Sequence, residues 1–390
     1  MGVLGAPTTL DPYAPDAADL TWTLAAPLWR SLFRLAPDGS AVPDLAASLD
    51  VEGDRATVRL SPARWSSGAP ITARDVVSSV ARARPPSGLA GLDAVALDQA
   101  TVRLSGFEGD WDLRLGRGSF VLPGGEAEVE TTSGPFVLSA VTAGLKLRYG
   151  RNAAAAEPAV LERLDIFFVE QLATLVELLE DDRIDVAVLP SAVNIEERVD
   201  VPDAELLGDL GWETVRLDFP GLTPAQARTV AAALDRDRLE EVFIRSDGRV
   251  SDTLHPQPGA GGAAGPWTDS LRAGAAAPPV GVAAAAGDEL IQLLQRAVVE
   301  QLRRAGLAAD EIDAPPREID RAGAAASVEL VRRAGAPGLT GELGGPRRPR
   351  SLPLFQVETY LAASRELVGP AVNPTLAGPL WNAGAWGFAP

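Results

Sequence analysis

The segment from Trp65 to Val80 constrains the fold more than any other part of the chain. It joins the expected end of a strand, a glycine turn at Gly68 and the start of a helix. Thr72 is a typical N-cap residue whose hydroxyl can accept a hydrogen bond from the amide of Asp75. Asp75 also places a negative charge in the first helical turn, where the helix dipole favours it. The segment therefore predicts a capped helix that runs through Val80.

Shorter motifs surround this segment in a recognisable order. They are Leu10-Asp11-Pro12, Pro27 to Phe33, Asp38-Gly39, Val42 to Ala46, Thr57 to Leu60, Ser133 to Phe136, Arg151-Asn152, Ile184-Asp185, Ala231 to Arg238 and Leu352 to Gln356. In order and spacing they resemble the family 5 extracellular solute-binding proteins, the oligopeptide-, dipeptide- and nickel-binding class that serves ABC importers. The resemblance spans nearly the whole chain.

The resemblance implies an α/β fold of the two-lobed, periplasmic-binding-protein-like kind (type II, large three-domain class). Such a fold has mixed sheets with flanking helices and a cleft between the lobes. Residues 1–35, 132–215 and 351–390 are expected to form a discontinuous first lobe. Residues 36–131 are expected to form a small extra domain packed on it, and 216–350 a second lobe. We predict that this second lobe is abbreviated, because helices typical of the family are missing before Leu352.

Hydrophobic periodicity independently predicts alternating strands and helices. Strand-like runs occupy 136–141, 145–149, 164–169 and 186–189, and a helix is predicted from Gln171 to Asp181, with leucines recurring at helical spacing. Two further helices are predicted at 224–243 and 288–305. In 101–104, Val102 and Leu104 are expected on one face of a strand. This alternation is typical of an α/β lobe.

Composition narrows the function classes. The 390 residues are 46% hydrophobic, enough for two or three domains, and 53 acidic against 35 basic residues give a net charge of −18. That charge argues against nucleic acid and against anionic membrane surfaces as partners. It is typical either of a surface that keeps a protein soluble or of an acidic cleft that attracts a cationic solute.

Cysteine usage and hydropathy bear on the compartment. The absence of cysteine excludes disulfides, thiolate catalysis, iron–sulfur clusters and a lipoprotein anchor on this chain. No apolar run reaches the length of a transmembrane helix, and the N-terminus lacks the pattern of a secretory signal. Given the resemblance, we expect an extracytoplasmic protein, at the cell surface or in the periplasm, whose full-length form is exported and tethered.

The chain offers little for catalysis. Its one histidine, His255, lies in a proline-rich stretch, and no Gly-x-Ser-x-Gly elbow is present. The one lysine, Lys146, lies between two leucines and does not form a P-loop, and Gly259 to Gly265 lacks dinucleotide-loop spacing. We therefore predict a protein that is not an enzyme, with no catalytic residues, no metal site and no cofactor.

The resemblance also implies which residues contact a solute. Trp22 aligns with a ligand-contacting position, although a packing role between elements is equally compatible with an indole. Arg117 is placed to anchor a carboxylate. Trp29 and Trp65 match scaffold positions, while Trp267, Trp381 and Trp386 either cover apolar surface or serve as ligand platforms. The predicted ligand-binding residues are Thr21, Trp22, Thr23, Arg117, Ser119, Phe120 and Gln356.

One departure from the family bears on specificity. Peptide-binding members carry a tryptophan and an Asp-Pro motif after the segment that corresponds to 326–330, whereas this chain has Val331 to Gly338 without an acid. A peptide ammonium left without a partner would cost several kcal/mol. With this departure, the resemblance implies a monomeric substrate-binding component that delivers a small solute, peptide-like or other, to ABC permease subunits. The alternative is a degenerate member that acts as a sensor or protein-interaction module.

Overall fold

A computed structural model describes the protein at residues 1–17, 19–85, 87–124, 131–189, 199, 201–219, 222–243, 279–285, 289–314, 327–334, 351–373, 375 and 377–389. Two compact units are present. Unit 1 comprises Met1–Pro190, Val199–Asp209 and Thr359–Pro390, and unit 2 comprises Ser191–Arg198 and Leu210–Glu358. His255, Gly259 to Gly265 and Trp267 lie outside the described residues. The predicted small domain at 36–131 falls within unit 1 and, as a separate domain, stays a prediction.

The described elements are as follows. The strands are β1 (Gly2–Leu4), β2 (Phe33–Leu35), β3 (Ala41–Pro43), β4 (Ala46–Glu52), β5 (Arg55–Leu60), β6 (Asp93–Ala96), β7 (Thr101–Ser105), β8 (Phe136–Thr142), β9 (Lys146–Arg151), β10 (Arg163–Val169), β11 (Val186–Leu189), β12 (Ala204–Asp218), β13 (Val280–Ala285), β14 (Ala309–Ala314), β15 (Ser327–Ala334), β16 (Ser351–Ser364), β17 (Leu367–Val368) and β18 (Gly387–Phe388). The helices are α1 (Asp19–Ala25), α2 (Ala73–Arg82), α3 (Trp111–Leu115), α4 (Leu172–Glu180), α5 (Pro224–Ala232), α6 (Arg236–Phe243) and α7 (Glu289–Arg304).

The main sheet of unit 1 is mixed. Its strand order is β16-β11-β1-β10-β9-β8, where only the end of β16 belongs to unit 1. β1 runs parallel to β10 and β11, with Gly2 opposite both Phe167 and Ala187. A side chain at Gly2 would collide with Leu175 of α4, so the absence of a Cβ lets this helix pack directly on the centre of the sheet.

A second sheet of unit 1 has the order β4-β5-β7-β6 and is antiparallel throughout. Val102 and Leu104 share one buried face of β7, as the period-2 pattern predicted, and Val58 of β5 is fully buried as well. Val76 and Val80 of α2 are buried in the same core. One face of the sheet is therefore covered by α2.

α2 begins directly after Thr72 and runs through Val80, as predicted, while the Thr72 hydroxyl acts as a donor rather than as the predicted acceptor. The carboxylate of Asp75 accepts hydrogen bonds from the Thr72 amide at 2.7 Å and from the Thr72 hydroxyl at 2.9 Å. The amide of Asp75 donates to the backbone carbonyl of Thr72 at 3.0 Å. The Thr72 hydroxyl thus donates to Asp75, because an ionised carboxylate is the strongest acceptor within its reach.

Unit 2 packs helices on a sheet. The strand order is β14-β13-β15-β12, with β13 parallel to both β14 and β15. The apolar face of α7 is formed by Ile291, Leu294, Val298 and Leu302, all buried. With 16 residues, α7 is the longest described helix, and none of the described helices combines the length and apolarity required to cross a membrane.

The single helix predicted at 224–243 is wrong, because two helices form there. α5 ends at Ala232 and α6 begins at Arg236. Asp235 lies between them: its carboxylate accepts a hydrogen bond from the Arg238 amide at 3.0 Å, while its own amide donates to Gln301 at 2.8 Å. An aspartate in this position starts a new helix, which interrupts the continuous apolar periodicity.

Candidate functional site

Two of the predicted ligand-binding residues meet in an aromatic cluster of unit 1, formed by Tyr13, Trp22 and Phe120. Trp22 lies on α1, and Phe120 follows α3 along the chain. The centroid of the Trp22 ring lies 5.7 Å from that of Phe120 and 6.0 Å from that of Tyr13. All three residues are buried, with Trp22 only 6% exposed. In this structure Trp22 therefore has the packing role that the sequence left open beside the ligand role.

Hydrogen bonds and close packing fix the segment that carries Phe120. The hydroxyl of Tyr13 donates to the Phe120 carbonyl at 2.6 Å, and burial raises the pKa of this phenol. Ser87 donates to the Gly118 carbonyl at 3.1 Å. Gly118 has φ of +55°, and a Cβ there would lie 2.5 Å from Cζ3 of Trp22. Only glycine combines this backbone conformation with so close a ring.

The other predicted residues are dispersed around this cluster. The Thr21 hydroxyl is buried and donates to the Thr9 carbonyl at 2.9 Å. Thr23 lies beside Gly378, whereas Arg117 and Ser119 are both buried. The Ser119 hydroxyl is inaccessible and has no hydrogen-bond partner among the described residues. Gln356 lies on β16 in unit 2, and its side chain is outside the described part of the structure. A ligand role for these residues stays a prediction.

Unit 1 also contains a cavity of about 550 Å³, here called the unit 1 cavity. Its wall combines the end of α1 with the segments around Phe120, Ser133, Ala155 and Leu380. Of the seven predicted ligand-binding residues, Phe120 lines this cavity. The lining side chains used below are Trp29, Arg30, Arg34, Asp44, Phe120, Glu157 and Trp381.

A buried carboxylate organises one wall of the unit 1 cavity. Asp44, just after β3, accepts hydrogen bonds from Arg30 Nε at 2.8 Å and from the Ser31 amide at 2.9 Å. Its backbone carbonyl accepts a further bond from Arg30 Nη2 at 2.8 Å. Arg34 Nε lies 3.8 Å from Asp44, and the Arg34 side chain is 47% exposed. Arg30 is thus held by Asp44, while Arg34 is paired loosely.

Two indoles line the same cavity with their N–H groups already paired. Trp29 Nε1 donates to the Thr131 carbonyl at 3.0 Å, and Trp381 Nε1 donates to the Ala371 carbonyl at 3.1 Å. Sequence reasoning treated Trp29 as a scaffold residue and left Trp381 between apolar cover and ligand platform. It also missed Arg30 and Asp44, although both lie in motifs that carry the family resemblance.

The described residues contain no group of three or more His, Cys, Asp or Glu side chains arranged to hold a metal ion. The prediction that the protein uses no metal, cofactor or catalytic residue stays a prediction, because other parts of the chain are not described.

Solved structures share this fold over the whole chain. The oligopeptide-binding protein AppA from Bacillus subtilis, in complex with a nonapeptide, matches with a TM-score of 0.78 at 13% identity, covering 100% of this chain and 99% of that chain. AgaA from A. tumefaciens R10, in complex with agropinic acid, gives 0.78 at 17% identity, with 100% and 98% covered. NikZ from Campylobacter jejuni, in complex with Ni(L-His), gives 0.76 at 13%, with 99% of both chains covered. The predicted two-lobed α/β fold is confirmed.

A family model identifies the chain more directly. No curated protein matches the chain. The model described as bacterial extracellular solute-binding proteins, family 5 Middle, matches residues 40–272, which is more than half of the 390 residues. The family that the motifs predicted is therefore confirmed, and the chain belongs to the family 5 bacterial extracellular solute-binding proteins.

Proposed function

We propose that this protein is the substrate-binding component of an ABC import system, which captures a small solute by hinge closure and presents it to permease subunits. The observation that carries the proposal is the family match over residues 40–272. The full-length likeness to solved solute-binding proteins supports it. The protein acts outside the cytoplasm as a monomer, and closure of its lobes is the signal that the permease recognises.

The fold does not identify the class of solute, but the sequence restricts it in one respect. Solved structures with this fold hold a nonapeptide, agropinic acid and a nickel–histidine complex, so the fold alone selects no solute. The family acid that meets a peptide ammonium has no counterpart in Val331 to Gly338. A charged amine without a partner would be costly on closure. The solute is either a peptide-like molecule whose amine meets another acid, or a molecule without such an amine.

Unit 1 contributes the aromatic cluster to this function. Tyr13 and Gly118 hold the buried Trp22 against Phe120, so these two predicted ligand-binding residues are fixed in place by packing. Arg117 and Ser119 precede Phe120 in sequence; both are buried in this structure, and their predicted role is to supply polar groups. Gln356 is the predicted contribution from unit 2.

A stability screen tests the proposal. The purified chain is heated with peptides, amino-acid derivatives, metal chelates and sugars in turn. A solute present at about 100 times its dissociation constant should raise the unfolding free energy by about 2.7 kcal/mol. Equilibrium dialysis of each positive compound then gives its affinity. If no class shifts the melting curve, the proposal of solute capture fails.

A matched pair of tryptophan variants tests the predicted site. Trp22→Ala should weaken binding of the solute found in the screen by about 1 to 3 kcal/mol. Trp65→Ala serves as the control, because Trp65 is equally buried and has no predicted ligand role. Both variants lose stability, so affinity is measured at a temperature where each remains folded. Unchanged affinity in Trp22→Ala removes Trp22 from the site.

The alternative function, a sensor or protein-interaction module, rests on the absent acid and on the predicted shortening of the second lobe. Neighbouring genes discriminate between the two. Adjacent permease and ATPase genes favour import, whereas an adjacent kinase or transcription-factor gene without a permease favours sensing.

A further inference from the structure

The unit 1 cavity has the size and composition of a ligand site. Its volume of about 550 Å³ lies within the roughly 300–1,000 Å³ typical of small-molecule pockets. Apolar and polar side chains both line it, and four of the lining side chains are charged: Arg30, Arg34, Asp44 and Glu157. A few polar groups set in an apolar wall are what orients a small molecule.

The four charged side chains of the wall carry no net charge, but one of them, Arg34, is only loosely paired. Asp44 is 94% buried at its side chain and is already satisfied by Arg30 and by the Ser31 amide. Arg34, at 3.8 Å, lies beyond hydrogen-bond distance of Asp44. Arg30, Arg34 and Asp44 together carry one net positive charge, which Glu157 on the same wall balances. Of the two arginines, Arg34 is the more loosely held by Asp44, so its guanidinium is the group placed to receive a ligand.

The geometry of the Arg34 guanidinium indicates which class of anion would bind. A guanidinium presents a planar fork of N–H donors that matches the two oxygens of a carboxylate. The backbone pairing of Arg34 with Val42 fixes this residue on the β2–β3 hairpin. Glu157 also lines the cavity and repels an anion, so it opposes binding that Arg34 favours.

One of the three aromatic rings on the wall is accessible to a ligand, because Trp29 and Phe120 are buried, at 2% and 6% exposed, whereas Trp381 is partly exposed. Trp29, Phe120 and Trp381 all line the cavity, and the indole N–H groups bond to backbone carbonyls rather than pointing toward a ligand as free donors. Pro27, Pro43, Pro135 and Pro158 line it as well. Rigid side chains of this kind lose little entropy when a ring packs against them.

We propose that the unit 1 cavity is a second ligand site, distinct from the predicted solute site, that binds a small aromatic carboxylate through Arg34 and the ring of Trp381. Six of the seven residues predicted to hold the imported solute are absent from its lining. The site goes beyond the import function, because it lies within one unit and requires no contribution from Gln356.

Calorimetric titration of the full chain with 1-naphthylacetate, and with its neutral analogue 1-naphthylacetamide, tests this site. The acid should bind more tightly than the amide, and raising the salt concentration should weaken the acid alone. Equal binding of the two probes would overturn the role of the charge. Absence of binding by both at millimolar concentration would overturn the site itself.

Single-residue variants test which side chain binds the carboxylate of the probe. Arg34→Ala should weaken the acid about tenfold or more and leave the amide unchanged, since a hydrogen bond to a charged group is lost. Arg55→Ala is the matched control, because Arg55 is also loosely paired, at 3.9 Å from Asp54, and lies on β5 away from the cavity. Glu157→Gln should strengthen the acid about two- to fivefold. An Arg34→Ala variant that keeps full affinity for the acid contradicts the proposal.

One further variant separates this site from the imported solute. Gln356→Ala should leave 1-naphthylacetate binding unchanged. A loss of binding in Gln356→Ala would show that the probe occupies the solute site and would overturn the second site. Failure of the solute screen, by contrast, leaves the titrations with the two probes fully interpretable.

Discussion

The cores of unit 1 and unit 2 differ in kind. The core of unit 1 contains Tyr13, Trp22, Trp29, Phe33, Trp65, Trp111, Phe120, Phe136, Tyr149 and Trp386. Among the described residues of unit 2, the buried aromatic side chains in the core are Phe219 and Phe243, and the rest is aliphatic. Unit 1 is therefore built around rings with fixed shapes, whereas unit 2 is a conventional layer of helices on a sheet.

The aromatic core links distant parts of the chain through polar groups. Tyr149 donates from β9 to the Leu24 carbonyl on α1 at 2.9 Å, and Trp29 donates to the Thr131 carbonyl at 3.0 Å. A buried N–H or O–H group that finds such a partner favours one orientation of its ring. Trp111 is an exception in this core, because its Nε1 has no hydrogen-bond partner among the described residues. Aliphatic side chains carry no such polar group. Six of the seven predicted ligand-binding residues lie in unit 1, where the geometry is the more narrowly specified.

The largest expected effect is loss of a ring from unit 1. Trp65→Ala should lower the free energy of unfolding by about 3 to 5 kcal/mol, because it removes a large side chain that is 4% exposed. Urea denaturation followed by circular dichroism measures the change. A loss below about 1 kcal/mol would mean that the ring contributes little packing, and the contrast between the two cores would weaken.

An aliphatic truncation in unit 2 provides the counterpart. Leu294→Ala should cost about 3 kcal/mol, because Leu294 of α7 is fully buried. The adjacent Leu293 is 37% exposed, so Leu293→Ala is a matched control with an expected cost below about 1 kcal/mol. Denaturation curves of both variants test the pair, and equal costs would contradict the assigned face of α7.

The next largest expected effect comes from the loss of one buried hydrogen bond in unit 1. Tyr149→Phe keeps the ring and removes the bond to Leu24, which should cost about 1 to 2 kcal/mol. Burial raises the pKa of Tyr149 above its ordinary value of 10.0. The folded state therefore retains this proton while the unfolded state loses it, so the contribution is present below pH 10 and falls as the pH rises above 10. The Tyr149→Phe variant should therefore lose less unfolding free energy than the parent protein as the pH rises above 10. If the pH dependence of stability is the same in both proteins, this expectation is contradicted.

The smallest expected effect is on the surface of unit 2. Arg304 and Glu300 form an ion pair at 2.9 Å on α7, with side chains 76% and 52% exposed. Arg304→Ala should change the free energy of unfolding by at most about 0.5 kcal/mol, because exposed pairs are screened by water and salt. A larger loss in thermal denaturation would show that the stability of unit 2 depends on surface charge rather than on its aliphatic core.

Local patterns predicted the elements well where they have one apolar face. The helix predicted at 171–181 is α4, and the one predicted at 288–305 is α7, each within a residue or two of its observed ends. The strand pattern of 101–104 likewise gave β7. These predictions succeed because periodicity reports which face of an element is buried. The helix at 224–243 failed because a cap at Asp235 depends on a partner, Gln301, from a distant helix.

The candidate site was less accessible to sequence reasoning. The resemblance led to Phe120, but neither it nor periodicity indicated that Arg34, Asp44, Glu157 and Trp381 line one cavity. These residues come from separate segments that are brought together by long-range hydrogen bonds, such as the one from Ser133 to the Leu28 carbonyl at 3.0 Å. Such bonds leave no local pattern in the sequence. Nor did the sequence decide between packing and binding for Trp22, because an indole serves both.

The pairing of β16 with β11 determines when the main sheet of unit 1 can be completed during folding. The end of β16 completes the main sheet of unit 1, with Ala363 opposite Val186 and Tyr360 opposite Leu189. During translation, β1 and β8 to β11 leave the ribosome before Leu210–Glu358, the long segment of unit 2. Until synthesis reaches β16, one side of β11 has no neighbouring strand, and such an edge invites mispairing. At this stage β11 is an unpaired edge strand, which a chaperone can protect from mispairing.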